Sequence, residues 1–188
     1  MSAGALALGE KGTFIVPVSL EALGPVAEAP ELLIGRLRLV RKREHHFTVL
    51  GFSIAKLVRR SLTADPELRA AIDGVIGAYD WTMRPGSRLY HLHLDNERGV
   101  LHTVIVLVEA DLAGFYERVR TLVASRGDAH ADLGSALGSA PPPHVTLYTS
   151  DPRGQDGIGL NQTGDLDLAL RRPETGEAGL RAYRLSEA

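Results

Sequence analysis

The sequence predicts an α+β domain of duplicated, two-lobed design. Three observations point there. Strand-like and helix-like stretches follow one another as strands, helices, hairpin, helix, strand and hairpin, a mixed order rather than a strict β-α alternation. No GxGxxG or GxxxxGK[ST] run opens a helix after a strand, so a doubly wound nucleotide-binding sheet has no support. One pattern, His-apolar-Thr-apolar, stands once in each half, as "HFTV" at 46–49 and "HVTL" at 144–147, with no other obvious repeat between the halves.

Taken in order, "TFIVPVSL" (13–20) predicts a strand, with Pro17 at an edge or a bulge. "LLIGRLRLV" (32–40) alternates as one strand, with Arg36 and Arg38 on one face and Leu37 and Leu39 on the other. The cluster Arg41, Lys42, Arg43, Glu44 reads as a turn into "HHFTVLG", which makes a hairpin. Ser53 is placed to cap a helix carrying Ile54, Leu57 and Val58. Asp65-Pro66 starts the next helix, which runs to about Tyr79. "RLYHLHLD" and "VLHTVIVLVE" form a second hairpin across "DNERG". Asp111 caps an amphipathic helix with Leu112, Phe115, Val119 and Leu122 on its stripe, and Gly127 ends it. Residues 127–143 read as a weak helix or loop, "HVTLYT" as a strand and 151–165 as loop. "DLDLAL" and "LRAYRL" then pair as a closing hairpin across "RPETGEAG".

At 188 residues the chain fits one domain of two lobes over 1–188, with a buried core. Hydrophobic residues at 44% and charged ones at 23% mark it as folded rather than disordered. Lys plus Arg (21) nearly balances Asp plus Glu (23), without the basic excess of a protein that grips a long polyanion. A nucleotide or a short RNA end is therefore the expected nucleic-acid partner, and a long duplex is not. The absence of cysteine excludes disulfides, thiolate metal ligands and cysteine nucleophiles. "MSAGALALGEKG" lacks a basic n-region, and no run approaches the roughly 18 apolar residues of a membrane span. The expected location is the cytoplasm, with no membrane partner.

The two histidine-threonine strands carry the chemistry. Side chains alternate across a strand, so His46 and Thr48 share a face while Phe47 and Val49 share the other. His144 and Thr146 share a face in the same way, with Tyr148 next in that row. Imidazole titrates near pH 6.5, so one histidine can accept a proton while the other donates one. Cleavage of a phosphodiester needs both actions, on opposite sides of phosphorus. Two threonine hydroxyls can hold the non-bridging oxygens between the imidazoles. Such a reaction requires no metal and no cofactor.

Two H-h-T-h motifs (h apolar), one per lobe, are the mark of the 2H phosphoesterases, the superfamily of 2'-5' RNA ligase-like proteins and cyclic nucleotide phosphodiesterases. This chain resembles that superfamily: "HFTV" and "HVTL" match at every position. The resemblance implies a bilobal fold of pseudo-duplicated antiparallel sheets with flanking helices around a central cleft. It also implies a phosphate between His46, Thr48, His144 and Thr146, the histidines exchanging acid and base roles. The ligase-like branch carries "HxTLxFLG" at its first motif, where this chain has "HFTVLGFS". That branch also has an arginine three places past the second threonine; here the position is Thr149, with Arg153 nearby as a substitute. The expected activity is hydrolysis of 2',3'-cyclic or 2'-5'-linked phosphodiesters. The alternative is a nucleotide-binding module with the same cleft and no catalysis.

Other candidates surround these four. Tyr148 and Trp81 are aromatic candidates for contact with a base, Tyr148 by stacking with a groove-wall role as its rival and Trp81 as a platform with plain packing as its rival. Arg36, Arg38, Arg41, Lys42 and Arg43 form a basic run beside the first motif, with Arg43 nearest to it as a phosphate contact. His91 and His93 share a strand face at a metal-ligand spacing, with His102 on the partner strand, and would centre a rival metal-dependent hydrolase. His45 points away from His46. Gly154, Gly157 and Gly159 open no helix that would cradle a phosphate and read as loop.

Overall fold

The computed structural model of the protein describes residues 6–8, 12–97, 99–172 and 179–185. The N-terminal stretch read for a signal, the "DNERG" turn and the "RPETGEAG" turn fall partly or largely outside these residues.

Nine strands are described: β1 (Ala7–Leu8), β2 (Phe14–Pro17), β3 (Glu31–Ile34), β4 (Leu37–Arg41), β5 (His46–Leu50), β6 (Arg84–Asn96), β7 (Gly99–Glu109), β8 (His144–Thr149) and β9 (Gly179–Arg184). The helices are α1 (Leu20–Leu23), α2 (Phe52–Ala64), α3 (Pro66–Ala78), α4 (Leu112–Ala124), α5 (Ala131–Ala136) and α6 (Asp165–Arg171). All strands belong to one antiparallel sheet in the order β1-β2-β5-β8-β7-β6-β9, with β4 also on β8 and β3 on β4. The fold class is α+β. The two motif strands, far apart in sequence, are neighbours at the centre of the sheet.

Each face of the sheet buries a different core. On one face Phe47, Val104, Val106 and Val145 pack against Val58 of α2, Leu68 of α3, Phe115 and Val119 of α4 and Leu133 of α5. On the other face Leu92, Ile105 and Ala182 meet Ile158 and Leu160 of the 150–164 loop and Leu166 and Ala169 of α6. The helices thus fix the backs of β5 and β8, while the loop and α6 wall the opposite face.

Several sequence expectations hold at the level of single residues. Asp65 caps α3, its Oδ1 accepting from the backbone N–H groups of Glu67 and Leu68 at 3.0 and 2.9 Å, and Pro66 occupies the first turn. Such a cap contributes on the order of 1 kcal/mol. Asp111 caps α4 by accepting from Gly114 N, and β6 and β7 form the second hairpin. Pro17 sits at the end of β2, whose register shifts between Phe14 and Ile15.

Others are corrected. The 32–40 run is a hairpin of β3 and β4 instead of one strand, because Gly35 adopts φ 59° and turns the chain there. Leu39 then lies buried in the main core, and Arg38 reaches back across the pair to Glu31. β4 and β5 do not pair with each other: both lie along β8, β5 at its start and β4 at its end. Gly51, not Ser53, is the N-cap of α2, and α4 ends at Ser125 before Gly127. "DLDLAL" is helix α6 rather than a strand. Asp165 Oδ2 gathers the N–H groups of Asn161 and Gln162 just before the helix, and Leu166 and Ala169 bury at a spacing of three while Leu168 is exposed. β9 therefore pairs with β6.

Candidate active site

β5 and β8 meet at the pair Phe47 and Val145, whose side chains face the main core. Counting outward along antiparallel strands sets His46 beside Thr146 and Thr48 beside His144 on the opposite face. All four line one cavity of about 260 Å³. The four side chains that the motifs single out are brought together.

The two histidines differ in setting. His144 follows a run of three prolines whose extended backbone aims the Pro142 carbonyl back at the ring. His144 Nδ1 lies 2.8 Å from that oxygen. A carbonyl only accepts, so Nδ1–H is the donor and the neutral ring keeps its lone pair on Nε2. His144 is buried, and burial lowers its pKa below the usual histidine value, partly offset by the Pro142 hydrogen bond. His46 is more open and has a carboxylate beside it, Glu44 Oε1 at 3.9 Å from Nδ1.

Lys42 and Arg43 bring positive charge to the same cavity. The backbone ties this segment in place: Lys42 N donates to Leu147 O at 2.8 Å and Arg43 N to Gly154 O at 3.1 Å. Lys42 Nζ donates to the Gln155 carbonyl. The opposite wall is the 154–159 segment, organised around the Asp151 carboxylate. Asp151 accepts from the N–H groups of Arg153, Gln155 and Asp156 at 3.2, 3.0 and 2.9 Å, which holds its pKa well below the ordinary carboxylate range. Ile158 N donates to Thr103 Oγ1 on β7 at 3.1 Å, seating the loop on the sheet. Gly157 passes so close to Thr146 that a Cβ there would lie 3.3 Å from Cγ2. The glycines of this loop are thus a packed wall of the cavity.

Three of the outer candidates lie elsewhere. Tyr148 is turned into the main core, where its hydroxyl donates to the Val26 and Ala29 carbonyls, each at 3.2 Å. The cause is a bulge. Thr146 opposes Ile105 but Tyr148 opposes Val104, so β8 carries one extra residue and the alternation expected from sequence is broken after Thr146. Trp81 packs in an aromatic group with Phe47, Tyr79 and Phe115 at centroid distances of 6.3, 5.0 and 5.0 Å, its Nε1–H donating to Ile76 O. Arg153 is exposed and bonds to Asp151 and Asp156 rather than lining the cavity. Of the basic run, Arg36 is not among the cavity's lining residues, Arg38 pairs with Glu31 and Arg41 donates to the Ala27 and Glu28 carbonyls, leaving Lys42 and Arg43 at the site.

His91, His93 and His102 form a separate group on the sheet face away from the cavity, His91 Nε2 lying 3.1 Å from His102 Nδ1. Burial and the neighbouring imidazoles push the His91 pKa down to about 4. Among the described residues no group of three or more His, Asp or Glu is arranged to hold a metal ion. His45 is buried behind β5, its pKa lowered by desolvation and by Arg41 and Lys42. Glu44, which the sequence places only in a turn, stands beside His46 at the cavity.

Among the described residues no helix is long and apolar enough to cross a membrane. Comparison with protein-family models, with curated proteins and with solved structures finds no match.

Proposed function

We propose that the protein is a metal-independent phosphoesterase of the 2H type, hydrolysing 2',3'-cyclic or 2'-5'-linked phosphodiesters of nucleotides or RNA ends in the cytoplasm. The observation that carries the reading is the convergence of His46, Thr48, His144 and Thr146 on one cavity edged by Lys42 and Arg43. Two central strands standing side by side with both motifs on one face also support the pseudo-duplicated, 2H-like design.

In this reading phosphorus sits between the imidazoles. His144, neutral and with its lone pair on Nε2, takes a proton from water as that water attacks phosphorus. His46, with the Glu44 carboxylate beside it, gives a proton to the departing ester oxygen. For a 2',3'-cyclic substrate the ring P–O bond breaks, one oxygen from water joins phosphorus, and the product is a phosphomonoester with a free ribose hydroxyl. The Thr48 and Thr146 hydroxyls donate to the non-bridging oxygens, and Lys42 and Arg43 offset the charge that builds there. Catalysis, rather than binding alone, is favoured by the fixed tautomer of His144, since a site that only holds a phosphate gains nothing from a buried neutral imidazole.

The test is incubation of the protein with 2',3'-cyclic nucleotides and 2'-5'-linked dinucleotides in excess EDTA. Phosphomonoester product supports the reading. Binding without product would favour the non-catalytic module, and activity lost on chelation would favour a metal-dependent enzyme.

A further inference from the structure

Beside the histidine cavity lies a second, larger one of about 800 Å³, within the common range for small-molecule sites of about 300–1,000 Å³. Thr48 lines both, and the loop that ends one wall at Gly159 begins the next at Leu160. The two spaces therefore adjoin, with Thr48 at the junction.

Their linings are chemically opposite. The first holds Lys42, Arg43, Glu44 and the two histidines. The second has no charged residue among those that line it. Phe52, at the start of α2, is 58% exposed, so a large flat apolar ring stands open where a solvent-facing residue would ordinarily be polar. Ile54 and Leu57 continue that apolar surface, and Tyr116 is fixed by donating to Val49 O at 2.9 Å. Neutral hydrogen-bonding groups, among them Ser139 and Asn161, complete the wall.

In a 2'-5'-linked substrate with phosphorus beside Thr48, one ester arm would run toward Lys42 and Arg43 and the other into the uncharged cavity; in a 2',3'-cyclic one both ester oxygens belong to a single ribose, and that cavity is open to its base. An RNA strand threaded into the latter would set further phosphates against a wall with no cation, which costs desolvation without compensating charge. A single flat, uncharged, hydrogen-bonding group suits both the open aromatic ring and the amide and hydroxyl lining. We propose that the cavity lined by Phe52, Tyr116 and Asn161 binds the nucleobase of one nucleotide, so that the substrate ends there and is nucleotide-sized on that side. This rests on the phosphoesterase reading and names its substrate class.

The cavity is tested first without catalysis, by titrating the full-length protein with ribonucleosides that carry no phosphate and following chemical shifts. Shifts at Phe52 and at the 138–139 segment, absent with ribose alone and at least tenfold weaker in affinity in Phe52→Ala or Ser139→Asp, are expected. Both positions are surface-accessible lining, and Arg38→Gln, on the exposed edge of the β3–β4 hairpin, serves as a control that leaves nucleoside affinity unchanged. No nucleoside binding, or binding indifferent to both cavity substitutions, overturns the proposal. Turnover then separates it from the reading beneath it. A nucleoside 2',3'-cyclic phosphate is expected to exceed the base-free ribose cyclic phosphate at least tenfold in kcat/KM. Equal turnover of both, still abolished by His46→Ala, overturns the nucleobase site and leaves the phosphoesterase standing. Nucleoside binding as described with no turnover of either compound keeps the nucleobase site and removes the phosphoesterase.

Discussion

Phe47 lies directly opposite Val145, both with their side chains in the main core, and this single pairing sets the register that places His46 by Thr146 and Thr48 by His144. The face that carries the two histidines is held from behind. A one-residue slip would send every one of these side chains to the wrong face, so the aromatic and aliphatic packing at Phe47 and Val145 is what makes the polar face a site.

The proposed acid-base roles predict a pH profile. His144 has a lowered pKa, so the base is ready below the usual histidine range and the acidic limb of kcat/KM falls below about 6.5. Glu44→Gln, which removes the carboxylate beside His46, is expected to lower kcat/KM across the profile. Steady-state rates from pH 4 to 9 on both proteins check this.

The same shifts bear on stability. His45, His91, His102 and His144 all hold lowered pKa values in the folded chain. The unfolded chain therefore binds more protons below about pH 6.5, and stability declines as pH falls from there toward about 4, the His91 value. Urea midpoints measured at pH 7, 6 and 5 are expected to decrease in that order; a flat series contradicts the burial of these imidazoles.

Tyr148→Phe separates the two faces of β8. Removing the hydroxyl leaves the Val26 and Ala29 carbonyls without that donor, at a cost of about 0.5–1.5 kcal/mol in unfolding free energy. Because the ring faces the core, kcat/KM stays at the wild-type value. A specific loss of activity would return Tyr148 to the site.

The Thr146 hydroxyl is tested from two sides. Thr146→Val removes the donor and keeps the shape, with an expected fall of about 10²–10³ in kcat, the range for loss of one oxyanion donor. Gly157→Ala adds a methyl 3.3 Å from Thr146 Cγ2, and is expected to raise KM several-fold with little change in thermal midpoint.

Much of this was legible in the sequence, and the exceptions have identifiable causes. The motif pair, the Asp65-Pro66 and Asp111 helix starts and the 84–109 hairpin are local signals, set by side chains acting on their own backbone. Tyr148 was misplaced because alternation was carried through a bulge that exists only against β7. The 32–40 run conceals a turn, since the alternation of Arg36, Leu37, Arg38 and Leu39 follows directly on the apolar stretch before Gly35. "DLDLAL" has the period of a strand, but its packing against the loop core and the gathering of N–H groups by Asp165 select a helix. The second cavity has no sequence signal, being assembled from α2, α4, α5 and the 160–163 segment.

The central claim is most directly tested by turnover of a 2',3'-cyclic nucleotide in EDTA by the wild-type protein, His46→Ala and His144→Ala, with circular dichroism showing each variant folded. The account predicts hydrolysis by the wild type and a loss of about 10²–10⁴-fold in each variant, the usual worth of a positioned general acid or base. Hydrolysis at the wild-type rate by either folded variant would contradict it.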